Sequence, residues 1–160
     1  MQSVRLTRRR ALSLLAAGAG ATLAAPLWAR SNSEPAAMEV WKDANCGCCG
    51  DWITHMRQSG FRIVVHDTGN NAARARLGMP TRYGSCHTAS IDGYVIEGHV
   101  PASDVQRLLR ERPRALGLAV PGMPIGSPGM DGPAYGGRRD PYDTLLVLQD
   151  GSSRSFQRHA

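Results

Sequence analysis

Apolar positions along the chain recur with two alternating periods. Met38 to Lys42 forms a short apolar run suited to a strand. Trp52, Ile53, Met56 and then Phe61 follow at near-helical spacing, and Gly60 supplies a C-terminal stop, which predicts a helix of about three turns beginning near Cys49. Phe61 to Asp67 is β-branched and partly alternating, and predicts a second strand, followed by a short helix over Asn71 to Leu77. Asp92-Gly93 lies between Ala89-Ser90-Ile91 and Tyr94-Val95-Ile96-Glu97, the sequence form of a two-residue hairpin turn. Ser103-Asp104 is placed to cap a further helix in which Val105, Leu108 and Leu109 share a face until Pro113. The order strand, helix, strand, short helix, hairpin, helix predicts an α/β domain whose first two strands run parallel.

From Gly117 to Gly137 the pattern breaks into glycine, proline and methionine, and no regular element is expected there. Tyr142 to Leu148, Asp150-Gly151 and Ser155 to Gln157 suggest a closing strand or hairpin. No internal repeat of useful length is present.

The first residues carry a different signal. Thr7-Arg8-Arg9-Arg10 precedes an uncharged Ala/Leu/Gly stretch, Ala11 to Ala25, which resembles a twin-arginine export signal with cleavage after Ala25 or Ala29. Residues 1–29 are read as that signal, 30–37 as a linker and 38–160 as the domain. On this reading the mature protein is periplasmic and keeps no stable membrane association. Net charge falls from +6 to +2 when residues 1–29 are removed, because they hold four arginines and no acids. Arg107, Arg110, Arg112 and Arg114 read as a solvated helix face, and no nucleic-acid partner is expected.

Three of the four cysteines lie in Cys46-Gly47-Cys48-Cys49, where the first strand gives way to a helix, so thiolates there meet a positive helix end. The fourth, Cys86, precedes His87. In an exported protein four cysteines would suggest two structural bridges, but this clustering gives poor geometry for most pairings. A Cys46–Cys49 bridge remains sterically possible. A strand leading into Cys-x-x-Cys at a helix start, followed by a hairpin and helix, resembles the thioredoxin/glutaredoxin fold, in which the segment entering the hairpin, here Cys86-His87, faces the cysteine pair. Two chemistries are then open. A dithiol oxidoreductase would use Cys46 and Cys49. A thiolate cluster with nearby imidazole and thioether would suit Cu(I), with zinc also satisfied by four N/S ligands.

The remaining candidates each have an ordinary alternative. Met123 and Met130 are either thioether ligands or loop packing. His99 is either a ligand or bonded to backbone. His55 is expected to serve a surface or packing role, His66 to end its strand, and His159 lies in the tail.

Four motifs in order carry a more specific likeness: Cys46-Gly47-Cys48-Cys49; Ser85-Cys86-His87-Thr88-Ala89; Gly93 to Ala102, which includes Glu97-Gly98-His99-Val100-Pro101; and Gly117 to Met130, with its Pro-Gly-Met and Ser-Pro-Gly-Met segments. Together they resemble the CopG-type family of exported copper-resistance metal-binding proteins, with Asp131 where the family pattern carries glutamate. The resemblance implies a thioredoxin-like domain with a long Gly/Pro/Met loop. It implies copper bound by Cys46, Cys48, Cys49 and Cys86, extending to more than one ion bridged by thiolates, with His87, His99, Met123 and Met130 as further ligands. Interconversion of copper oxidation states, and exchange with periplasmic donor or acceptor proteins, belong to the same expectation.

Overall fold

The computed structural model describes residues 37–160. The signal reading of residues 1–29, and all but the last residue of the linker, lie outside the described residues. Seven strands form one mixed sheet: β1 (Met38–Lys42), β2 (Ile63–His66), β3 (His87–Ile91), β4 (Tyr94–Glu97), β5 (Gly117–Ala119), β6 (Tyr142–Val147) and β7 (Ser153–His159), in the order β2-β1-β3-β4-β5-β6-β7. Helices α1 (Gly47–Gln58), α2 (Asn71–Arg76) and α3 (Ala102–Glu111) connect them. β1 pairs parallel with β2 and antiparallel with β3, β3 pairs antiparallel with β4, and β4 pairs parallel with β5 across α3. β6 and β7 complete the sheet as an antiparallel pair with an irregularity at Thr144/Leu145.

The alternation of side chains along β4, β5 and β6 explains how the middle of the sheet is covered on both faces. Ile96, Leu118 and Leu146 join Trp52, Ile53 and Met56 of α1 and Val105 and Leu108 of α3 in the larger core. Their strand neighbours Val95, Ala119 and Val147 point the other way, into a smaller cluster with Met79 and Tyr83. Two covered faces explain the unbroken apolar runs in β4 and β5, which a half-exposed strand would not carry.

The hairpin forms at Asp92-Gly93, where φ is +52° and +83°, the left-handed pair that a tight hairpin turn needs. Gly60 ends α1 with φ +92°. Three expectations are corrected. Gly117–Ala119 is a strand and not the start of an irregular loop. The N-cap of α3 is Pro101 without a side-chain cap, so Ser103 and Asp104 lie within the helix. His159 is the last residue of β7, stacked on Tyr142 and 2.9 Å from the buried Asp104 carboxylate, and is no free tail.

Among the described residues, no helix is long and apolar enough to cross a membrane. Two arginines of this stretch are engaged locally: Arg107 of α3 pairs with Glu111 and lies over Phe156, and Arg112, just past the helix, pairs with Asp92.

Candidate metal centre

The cysteine cluster is built by the start of α1. Cys46 is its N-cap residue in extended conformation, and the next turn of helix brings Cys49 back beside it with a Cα–Cα distance of 5.4 Å. The two form a disulfide, while Cys48 and Cys86 are free. Cys48 Sγ lies 3.7 Å from Cys46 Sγ and 3.9 Å from Cys86 Sγ. All four sulfur atoms fall within 4.8 Å of one another, although Cys86 is 37 residues beyond Cys49. Antiparallel pairing of β1 with β3 produces this approach: Lys42, which ends the strand leading to the cluster, is registered against His87.

Cys49 is fully buried and its Sγ lies 3.6 Å from the Cys86 carbonyl oxygen. A disulfide sulfur has no hydrogen to donate, so this is a packing contact that reduction would turn into a thiol hydrogen bond.

Two imidazoles complete the other side of Cys86. His99 Nε2 is 3.1 Å from Cys86 Sγ, and His87 Nδ1 is 3.4 Å from the same atom. These three ligand atoms also lie within 4.8 Å of one another, so Cys86 is shared between a sulfur group and an imidazole group. His99 Nδ1 is 2.8 Å from the Pro128 carbonyl oxygen. A carbonyl can only accept, so Nδ1 carries the proton and Nε2 presents its lone pair to Cys86.

Burial lowers the pKa of both histidines, for His87 well below the ordinary value, with His99 nearby adding to the effect. Burial first, then the neighbouring Cys48, pushes the Cys86 thiol up to about 12. Cys86 is therefore held as a thiol beside neutral imidazoles, and a soft cation binding there must displace the thiol proton. His87 Nε2 is buried with no hydrogen-bond partner, and its ring rests 4.3 Å from that of Trp52. A buried polar atom without a partner is costly unless something binds it. The donor set, soft sulfur plus neutral nitrogen, fits a soft or borderline metal ion.

The Gly/Pro/Met loop closes over this group. Pro128 engages His99, and a Cβ on Gly129 would stand 2.6 Å from the Cys48 carbonyl oxygen and 2.8 Å from Trp52 N. Gly122 N–H donates to the Gly84 carbonyl at 3.3 Å, and the Ser85 hydroxyl donates to the Gly122 carbonyl. Met123 is half-exposed beside that contact. The Met130 sulfur accepts from the Tyr135 hydroxyl at 3.2 Å. The four cysteines, His87 and His99 are thus brought together, whereas Met130 has a neighbour of its own and Met123 faces solvent.

Sequence reasoning missed the buried polar group behind Cys86. Arg74 Nε donates to Glu97 Oε1 at 2.9 Å, and Ser85 N–H donates to the same oxygen at 2.7 Å. Burial raises the Glu97 carboxyl pKa, with Thr88, Ser85 and Arg74 opposing it. The available signal was an acid at the end of the apolar run Tyr94-Val95-Ile96. His55, expected to be a surface or packing residue, accepts the Ala102 N–H at 3.2 Å and so satisfies one backbone donor in the first turn of α3. His66 stacks on Trp41 with centroids 5.0 Å apart.

A family model described as a protein of unknown function, DUF411, matches residues 83–130. Those residues span Cys86, His87, His99 and the covering loop. None of the curated proteins matches the chain. Two solved structures of a copper resistance protein CopG, form 1 and form 2, are each 46% identical to it, with TM-scores of 0.72 and 0.71. The alignments cover 79% of this chain and 98% and 100% of theirs. With that identity over essentially the whole of both structures, the chain belongs to the CopG-type copper-resistance family.

Proposed function

We propose that the protein is a periplasmic copper-binding protein of copper resistance and homeostasis that, once an external dithiol has reduced the Cys46–Cys49 disulfide, holds Cu(I) on the thiolates of Cys46, Cys48, Cys49 and Cys86. The observation that carries this reading is the convergence of four sulfur atoms within 4.8 Å, with Cys86 also shared with two neutral imidazoles. Thiolate ligands favour Cu(I), and copper outcompetes zinc for most N/S sites, so zinc is the lesser candidate. Sharing of Cys86 supports more than one ion bridged by thiolate, and an imidazole side beside a thiolate side supports a change of copper oxidation state. Met123 and Met130 serve as weak thioether ligands when the loop adjusts to cargo. The element order β1-α1-β2-α2-β3-β4-α3, with strand order β2-β1-β3-β4, supports a thioredoxin/glutaredoxin-like core to which β5, β6 and β7 are added. The twin-arginine reading of residues 1–29 supports export to the periplasm, where copper donor and acceptor proteins would be the partners.

The Cys46–Cys49 disulfide favours a second reading, a thiol-disulfide oxidoreductase that uses this pair. The two readings part at Cys48. Metal analysis of Cys48→Ser expressed with copper, alongside an insulin-reduction assay, decides between them. Copper binding predicts lost stoichiometry or affinity and little reductase activity in either protein. A metal-free wild type with full reductase activity, retained in Cys48→Ser, would overturn the copper reading.

A further inference from the structure

Cys86 and His87 are held between two anchored neighbours, and both anchors lead to one carboxylate. On one side, Ser85 donates its N–H to Glu97 Oε1 at 2.7 Å, and its carbonyl accepts from Arg74 at 2.6 Å and from Asn70 Nδ2 at 3.1 Å. On the other side, the Thr88 hydroxyl donates to Glu97 Oε2 at 2.6 Å and accepts from Asn70 Nδ2 at 3.2 Å. Glu97 is fully buried and closes an ion pair with Arg74 at 2.9 Å. Both carboxylate oxygens are therefore spent on the residues flanking the dipeptide. Charge-assisted bonds of this kind are short and directional, so Cys86 cannot shift without breaking at least one.

Stability alone is a weak reason for such a pair, since apolar residues of similar volume often serve a core as well. What an apolar pair could not supply is direction. We propose that Glu97, held by Arg74, is a positioning residue that fixes Cys86 and His87 against the α1 cysteines and so sets the affinity of the site. This inference rests on the copper-thiolate reading above.

The test compares wild type with Thr88→Val, which removes one anchor at nearly constant shape, and Thr88→Ser, which keeps the hydroxyl. A double variant, Arg74→Met with Glu97→Leu, removes both charges together, so that neither is left buried alone. Residues that orient metal ligands typically contribute about 10–100-fold in affinity. Thr88→Val and the double variant should lose Cu(I) to a competing chelator at about 10–100-fold lower chelator concentration, while Thr88→Ser stays near wild type. X-ray absorption of the loaded variants should show fewer sulfur neighbours per copper. A readout independent of metal is the alkylation rate of Cys86 relative to Cys48 in the metal-free protein, which should rise in both weakened variants. Folded variants with wild-type retention and unchanged Cys86 alkylation would overturn the inference. If wild type itself takes up no Cu(I), the copper reading falls, and the alkylation ratio alone decides the positioning role.

Discussion

His99 and Pro128 are joined by a 2.8 Å hydrogen bond from the imidazole Nδ1 to the carbonyl oxygen, which turns the other ring nitrogen toward Cys86. A residue of the covering loop thereby fixes the tautomer of a site imidazole. The loop is part of the site's chemistry as well as its roof.

Gly129 tests that coupling. Its φ is +86°, and a Cβ at this position would stand 2.6 Å from the Cys48 carbonyl oxygen, which leaves no room for alanine. Gly129→Ala should cost about 1–3 kcal/mol from backbone strain, read as a lower melting temperature. It should also weaken Cu(I) retention by about tenfold, because the displaced loop no longer orients His99. Unchanged melting and unchanged retention would show that the loop is free to lift away.

The methionines make a smaller claim. Met123→Leu with Met130→Leu keeps most of the side-chain volume and removes both sulfurs. Metal-free stability should stay within about 1 kcal/mol of wild type, apart from the lost Tyr135 contact. Cu(I) retention against a chelator should fall measurably without abolition. Identical retention would return both residues to loop packing.

His55 gives the fold a pH dependence that does not involve the metal ligands. Burial lowers its pKa below 6.5, with Asp131 offsetting part of the effect, and its Nε2 must be unprotonated to accept the Ala102 N–H. The unfolded chain then binds a proton more readily than the folded one. The stabilisation is present above about pH 6.5 and is lost as pH falls through the interval below it. A cation at the N-terminus of α3 would also oppose the helix dipole. In chemical denaturation of the metal-free protein from about pH 5 to about pH 7.5, His55→Gln should flatten part of the slope. An unaltered slope would exclude His55 as its source.

The proposed export would depend on the N-terminal arginines. Changing Arg8 and Arg9 to lysine should leave precursor in the cytoplasm, detected by fractionation, if the folded domain leaves by the twin-arginine route. Undiminished export would favour an unfolded-chain route.

Much of this architecture was legible in the chain because local chemistry and global packing agree. Asp92-Gly93 had to turn, since few other pairs accept two positive φ values, and Trp52, Ile53 and Met56 had to share a helix face. β5 was hidden because Gly117-Leu118-Ala119 has no β-branched residue. Its glycine is required by proximity, since a Cβ there would stand only 1.8 Å from the Val95 carbonyl oxygen. The cysteines were evident as chemistry, but the approach of Cys86 depended on strand register. The Arg74–Glu97 pair, 23 residues apart, and the His99–Pro128 bond left no local pattern, because one is purely tertiary and the other ends on a backbone carbonyl. His159 looked like a tail for the same reason: only the pairing of β6 with β7 brings it to Tyr142 and Asp104.

Reduction of the Cys46–Cys49 disulfide would open the proposed four-thiolate copper site. With Cys46 and Cys49 tied together, only Cys48 and Cys86 are free, so two of the four thiolates become available only after a two-electron reduction. The direct measurement is Cu(I) titration of the oxidised and the reduced protein against a competing chelator, with thiols counted beforehand and copper X-ray absorption recorded at saturation. Two thiols and weak uptake are expected before reduction, then four thiols, tight uptake and a sulfur-dominated shell after it. Equal uptake by both forms, or a shell of nitrogen and oxygen alone in the reduced protein, would contradict it.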